Sequence, residues 1–132
     1  SAPLPVICVV PPQEVRLPHL CRVCCYAQYI IKPMVPLLPL SAVVDPVAPL
    51  IWDLLQYGGG QGTPVGMALL LKLFESQSPV APLLLPSLLR MVVAPTAPLP
   101  LLKHFALTAS PLVRCLQDME VEGRTVDRVP SA

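Results

Sequence analysis

The residues best suited to chemistry are a histidine and three cysteines near the N-terminus: His19, Cys21, Cys24 and Cys25. Zinc commonly takes four cysteine or histidine ligands, often as two close pairs, and Cys21 and Cys24 supply one such pair. A second pair would have to come from distant positions, namely Cys8 or Cys115 together with His104. Cysteine is also among the most frequently buried residue types. The pattern therefore favours buried thiols over a metal or redox site, and no cofactor is predicted.

A glycine-rich run at 58–62 is the one candidate for a phosphate-binding loop. A P-loop ends in Gly-Lys-Ser/Thr, because its lysine reaches the phosphates. Here Thr63 and Pro64 follow the run, and the next lysine is Lys72. A dinucleotide-binding loop would follow a strand, whereas the residues before this run have helical periodicity. The run is predicted to be a flexible loop between two helices.

Nucleophilic catalysis is not favoured either, since it needs a serine or cysteine beside a base and an orienting group. The two histidines are His19, next to Pro18, and His104, which lies within an apolar stretch. Carboxylates are sparse, and Asp45 is assigned to helix capping while Asp53 falls on the outer face of a predicted helix. No acid–base pair emerges, so the chain is predicted not to be an enzyme.

The composition restricts the kinds of partner. Of 132 residues, 54% are apolar and 13% are charged, about half the usual charged share of a soluble domain. So few charges leave too little polar surface to cover the chain, which predicts burial against other protein or against lipid. The net charge is +1 without a basic cluster, so nucleic-acid binding is not predicted.

A spanning helix needs about 20 apolar residues in succession. The apolar stretches 33–44 and 91–102 are only 12 residues long and contain several prolines, so a membrane role is not favoured. The five cysteines are odd in number, and three of them crowd into positions 21–25. Together with the lack of a secretory signal, this pattern argues against a disulfide framework and predicts an intracellular location, in the cytoplasm or the nucleus.

A repeated phrase organises the elements that would position these residues: a helix-capping side chain followed by proline. It occurs as Asp45-Pro46, Thr63-Pro64, Ser78-Pro79 and Ser110-Pro111, with a looser form at Thr96-Ala97-Pro98. Asp, Thr and Ser accept hydrogen bonds from the first amides of a helix, and proline suits the first helical position. Successive phrases lie 14 to 18 residues apart, which predicts a row of short antiparallel helices.

Helices are predicted over 20–32, 46–57, 63–76, 78–93, 98–109 and 111–121, with a stop at Gly123. Residues 33–40 contain three prolines and are predicted to form a kinked turn. The helix over 78–93 is apolar nearly all round, which predicts that it is buried on both sides. The whole chain is predicted to be all-α: a Pro-rich extended arm over 1–18, a helical domain over 19–123 and a tail over 124–132.

Within this plan, the stretch of leucines and prolines over 78–89 resembles the first helix of a HEAT-type repeat. The segments Asp45-Pro46 and 110–114 resemble the turn into the second helix of such a repeat. The resemblance to HEAT/armadillo-like α-solenoids covers about residues 41–121, and a helical bundle is the alternative architecture. The resemblance implies a binding scaffold rather than an enzyme.

The function predicted from these patterns is a non-catalytic protein–protein interaction scaffold, or a subunit module of a larger complex. Its partner is predicted to be protein, and the isolated chain is predicted to expose an apolar patch and to form homo-oligomers. A membrane-associated helical domain is the first alternative. A small thiol- or metal-dependent enzyme, centred on the cysteines at 21–25, is the second.

Overall fold

A computed structural model describes the backbone of residues 19–131 and the side chains of residues 19–120. Within this range the chain is helical and contains no strand, which confirms the predicted all-α class. The predicted arm over 1–18, with its apolar run at 6–10, lies outside the described residues. The division into arm, domain and tail therefore stays a prediction.

Five helices form the described part of the chain. Helix α1 comprises Leu20–Tyr26, a π-helical turn at Ala27–Ile31 and Lys32–Met34, and a 3₁₀ turn at Val35–Leu37 follows it. Helix α2 comprises Leu40–Ala42, a π-helical turn at Val43–Val47 and Ala48–Tyr57. Helix α3 covers Gly59–Glu75, α4 covers Ala81–Val93 and α5 covers Leu99–Ser131.

Helix α3 is the centre of the fold, because each of the other four helices packs against it. Eight of its residues are buried: Gly62, Thr63, Gly66, Met67, Leu69, Leu70, Leu73 and Phe74. The prediction that α4 is buried on both sides is wrong. In α4 only Ala81 and Leu88 are buried, while Leu83 is 74% exposed. A peripheral helix with apolar residues all round leaves its outer face to solvent.

The glycine-rich run is not a flexible loop, contrary to the prediction. Gly58 joins α2 to α3, and Gly59 already begins α3. An added Cβ on Gly62 would lie 3.2 Å from Cδ2 of Leu54, and one on Gly66 would lie 3.0 Å from Cβ of Leu54. Glycines four residues apart share one helix face. Their lack of side chains therefore lets α2 pack closely against α3.

Of the five helix starts predicted from a capping residue followed by proline, two are confirmed. The hydroxyl of Ser78 accepts a hydrogen bond from the amide of Val80 at 3.3 Å, and α4 begins directly afterwards. The segment Thr96-Ala97-Pro98 immediately precedes α5, and the carbonyl of Pro98 accepts the amide of Leu102 at 3.2 Å.

The other three predicted starts lie inside helices. The Asp45-Pro46 phrase belongs to the π-helical turn of α2, Thr63-Pro64 to α3 and Ser110-Pro111 to α5. Thr63 caps nothing, because it is buried and its hydroxyl donates to the carbonyl of Leu54 at 3.4 Å. Helix α5 is also continuous through Ala109 and Gly123, where breaks were predicted.

The π-helical turns explain how α1 continues past Pro33 and how α2 continues past Pro49. A proline ring clashes with the carbonyl four residues earlier in an α-helix. For Pro33 that carbonyl belongs to Tyr29, and for Pro49 to Asp45, and both lie in π-helical turns. The wider turn relieves the clash. The predicted kinked turn is confirmed only after Met34, where Leu38 and Pro39 adopt extended conformations.

The end of α3 carries an unusual conformation. Gln77 has φ of 57° and is the one non-glycine residue with positive φ among those described. Its amide donates to the carbonyl of Phe74 at 3.0 Å, and the amide of Ser78 donates to the carbonyl of Leu73 at 3.1 Å. This pair of hydrogen bonds is a Schellman motif, in which glycine usually occupies the left-handed position.

We expect Gln77→Gly to have a higher free energy of unfolding than Gln77→Ala, because the left-handed conformation costs a residue with a Cβ about 1 kcal/mol. Gln77→Ala is the matched control, since it also removes the side chain but keeps the Cβ. Urea denaturation should therefore place the glycine variant above the alanine variant by about 1 kcal/mol. Equal stability of the two variants would contradict the left-handed conformation.

Candidate functional site

The residues of the candidate metal site lie near one another at the start of α1, but among the described residues they do not form a set of metal ligands. Cys21, Cys24 and Cys25 lie in the first two turns of α1, and His19 precedes the helix. Cys24 is buried at 6% exposure, while the other two cysteines are exposed. Across residues 19–120, no group of three or more His, Cys, Asp or Glu side chains is placed to hold a metal ion. His104 and Cys115 lie on α5, and Cys8 is outside the described residues.

The side chain of Gln61, at the start of α3, lies against this cysteine cluster. Its Nε2 donates to the Sγ of Cys21 at 3.1 Å, and the Sγ of Cys24 lies 3.8 Å from its backbone carbonyl. Cys24 also lies 3.8 Å from the position that a Cβ on Gly62 would occupy. These contacts place the thiol of Cys24 in the α1–α3 interface as a packing group.

Burial and neighbouring groups raise the pKa of two thiols, those of Cys24 and Cys115. Burial raises the pKa of Cys24, and the neighbouring Cys21 and Cys25 raise it further. Burial also raises the pKa of Cys115, as do Glu75 and Asp118, while Arg114 opposes them. The thiolate is the nucleophile and the metal ligand, so a raised pKa reduces the reactive fraction at neutral pH.

We expect iodoacetamide at pH 8 to modify Cys21 and Cys25 at least about tenfold faster than Cys24, because Cys24 is buried and holds its proton more tightly. Cleavage after Arg22 separates Cys21 from the other two cysteines. Fragment ions in tandem mass spectrometry then distinguish Cys24 from Cys25. The same reaction in denaturant should modify all three at similar rates. Rapid native modification of Cys24 would mean that α1 does not pack on α3 as described.

Two backbone amides of the glycine-rich junction form hydrogen bonds within the helices. The amide of Gly58 donates to the carbonyl of Leu54 at 2.9 Å, and the amide of Gly62 donates to the carbonyl of Gly58 at 2.8 Å. A phosphate cradle needs such amides to point at the ligand. Here the helices use them internally.

The feature of the described chain that best fits a binding site is a groove between α1 and α2, with a volume of about 540 Å³. Val23, Tyr26 and Ile31 of α1 form one wall, and α2 forms the other with residues 42–50. Leu38, in the turn that joins the helices, lies at one end. Arg22 is the only charged residue among those that line it.

The groove exists because α1 and α2 each pack more extensively on α3 than on each other. The C-terminal half of α2 has its most extensive packing with α3, whereas α1 lies along α3 through all of its segments. The proline-rich turn at 35–39 joins two helices that remain apart. The apolar spacing of α1 and α2 was visible in the sequence, but periodicity does not distinguish a groove wall from a core face.

Large apolar side chains are exposed in two rows. The hairpin row lies on α1, the turn and the start of α2 and comprises Tyr26, Tyr29, Ile30, Met34, Leu37, Leu40 and Val44. The α4–α5 row comprises Leu83, Leu89, Val93, Leu99, Leu102, Leu107 and Val113. Single exposed apolar residues are ordinary, whereas larger exposed apolar patches are typical of interaction surfaces. The sequence predicted an apolar patch without locating it.

Within residues 19–131, no helix combines the length and the apolar character that crossing a bilayer requires. A scan against protein-family models, a search of curated proteins and a search of solved structures gave no match to the chain. The groove and the two exposed rows are therefore the features from which a function can be inferred.

Proposed function

We propose that the chain is a non-catalytic protein–protein interaction module, acting as a scaffold or subunit in a larger intracellular assembly. The observation that carries this proposal is the exposure of fourteen large apolar side chains, grouped in the hairpin row and the α4–α5 row. Covering such rows removes apolar surface from water at roughly 25 cal/mol per Å², which favours association. The low charged fraction supports the same conclusion.

The resemblance to HEAT/armadillo-like repeats is part of this proposal. Several packed helices are compatible with a helical-repeat fold, and such repeats commonly act as binding surfaces. In the proposal, the exposed α4–α5 row is where a further helical layer or a partner would pack. Helix α4 would then be covered on both faces in the assembly, as its all-round apolar sequence suggests.

The proposal predicts that the isolated chain self-associates. Light scattering should give an apparent mass above the 14.2 kDa of the monomer, rising with concentration. The double variant Leu83→Glu and Val93→Glu should lower that mass toward the monomer, because two charges cannot be buried unpaired in an apolar interface. Both residues are largely exposed, so the fold should remain intact.

Gln117→Glu is the matched control for added charge, since Gln117 is exposed on α5 and is not part of the α4–α5 row. It should leave the apparent mass unchanged. A wild-type chain that is soluble and monomeric at all concentrations would contradict self-association through these rows.

A membrane-associated helical domain is the second candidate, and the exposed apolar rows are the observation that favours it. A helix without spanning length can still lie in a membrane interface with its apolar face buried. Flotation with liposomes distinguishes the two candidates: an interaction module stays in the soluble fraction, whereas an interfacial domain floats with the lipid. The Leu83→Glu and Val93→Glu variant should abolish flotation if the α4–α5 row contacts lipid.

A further inference from the structure

We infer that the groove between α1 and α2 is the docking site for an amphipathic helix of a partner protein, one that carries a carboxylate at one end of its apolar face. This inference rests on the proposed interaction function and names the partner's chemistry at one site. It shares Tyr26 with the hairpin row but does not involve the α4–α5 row, so peptide binding here and self-association through Leu83 and Val93 can fail separately.

The shape of the groove fits a helix. Its walls are two helices, and the lining residues run from Arg22 to Ile31 on α1 and from Ala42 to Leu50 on α2. Nine residues of helix rise about 13 Å, which is roughly two and a half turns. A docked helix of that length would place apolar anchors at i, i+4 and i+7, the spacing by which amphipathic helices occupy grooves.

The lining selects an apolar face. The α2 wall consists of Ala42, Pro46, Val47 and Leu50, whose side chains have no hydrogen-bonding groups, and Pro46 also lacks a backbone amide. A polar ligand would lose its hydrogen bonds to water without replacement. Tyr26 adds an exposed aromatic ring on the opposite wall, and tyrosine is enriched among residues that contribute most to binding.

The charge of the groove is asymmetric. Arg22 lies near the start of α1 and Leu38 lies in the turn after it, so the guanidinium marks the end of the groove farthest from the turn. No acidic side chain is among the residues that line the groove. Guanidinium binds carboxylates through paired hydrogen bonds. A partner helix with Glu or Asp at that end therefore gains both affinity and a fixed orientation.

The test uses two fluorescein-labelled 16-residue helical peptides with leucines at i, i+4 and i+7. One peptide carries two glutamates at one end of the leucine face, and the other carries two lysines there. Fluorescence anisotropy with the full chain should show the glutamate peptide binding about fivefold more tightly than the lysine peptide. Arg22→Glu should reverse this preference, since it replaces the attraction by repulsion.

Tyr26→Asp should weaken binding of the glutamate peptide at least about tenfold. Gln28→Asp is the control for the added charge, because Gln28 is exposed on α1, does not line the groove and is not part of the hairpin row. It should leave binding unchanged. Circular dichroism verifies that both variants keep their helical content.

Three outcomes would overturn the inference. The first is that neither peptide binds, or that both bind equally and Arg22→Glu has no effect. The second is that the peptide binds only after Ile7→Asp and Val9→Asp, which would assign the groove to the chain's own N-terminal segment. The third is that Tyr26→Asp, and not Gln28→Asp, converts a dimer into a monomer, which would make a second copy the occupant.

Discussion

Gly58→Ala is expected to lower the free energy of unfolding by about 3 kcal/mol. An added Cβ would overlap the carbonyl oxygen of Leu54 and would lie 2.6 Å from the Cα of Gly62. Both contacts are with backbone atoms, which cannot move aside as a flexible side chain can. Relief of the contact with Gly62 would require α2 and α3 to separate at this junction, and that would open the core around Leu54.

Gly60→Ala is the matched control, two residues along the same run. A Cβ on Gly60 meets nothing within 4 Å, and the residue lies in the first turn of α3. Alanine there should stabilise the chain by about 0.5–1 kcal/mol, because it restricts the unfolded chain and favours helix. Chemical denaturation of both variants gives the comparison.

These two variants distinguish a packed junction from a flexible loop. In a flexible loop both substitutions would change stability by similar small amounts. Opposite signs at Gly58 and Gly60 are expected only where one glycine is enclosed and the other is open. Equal and small effects would contradict the close approach of α2 to α3.

The sequence was sufficient to predict the helical class and the ends of several helices. The end of α2 at Tyr57 and that of α3 at Glu75 were predicted correctly to within one residue. Glycine at the first end and serine at the second interrupt the apolar pattern locally. Such helix ends can be predicted because they depend on the backbone conformation of a few neighbouring residues rather than on tertiary contacts.

Helix starts inside the chain were harder to predict, because a capping residue before proline is compatible with two environments. At Ser78 the preceding helix has ended, so the hydroxyl is available to cap α4. At Thr63 tertiary packing continues the helix, and the hydroxyl turns to the carbonyl of Leu54 instead. At Ser110 the helix also continues. Pro111 has no amide to donate to the carbonyl of Leu107, and Leu107 is exposed, so water can hydrogen-bond this carbonyl instead.

The candidate binding site was the least predictable part. Val23 and Leu50 have the same periodicity whether they face a core or a groove. Whether these residues face the core or the groove depends on the distance between α1 and α2 on the surface of α3, and tertiary packing sets that distance. The cysteine cluster, by contrast, was prominent in the sequence, yet helix geometry turns Cys24 inward and leaves Cys21 and Cys25 outside.

The central position of α3 leads to the second prediction of large effect. Leu70→Ala should lower the free energy of unfolding by about 3 kcal/mol, because Leu70 is 1% exposed and its loss leaves a cavity in the core. Leu83→Ala, the same substitution on α4, should change stability by less than about 0.5 kcal/mol, because Leu83 is largely exposed. Urea denaturation at a concentration where the chain is dispersed gives both values.

The comparison decides which leucine-rich helix is the core of the isolated chain. If α4 were buried on both sides, as its sequence alone predicts, Leu83→Ala would cost as much as Leu70→Ala. If the α4–α5 row is covered only in an assembly, the cost of Leu83→Ala should appear when self-association is measured and not when unfolding is measured. If Leu83→Ala leaves the free energy of unfolding unchanged but weakens self-association, Leu83 is an interface residue. Its apolar side chain is then removed from water only when a second surface covers it.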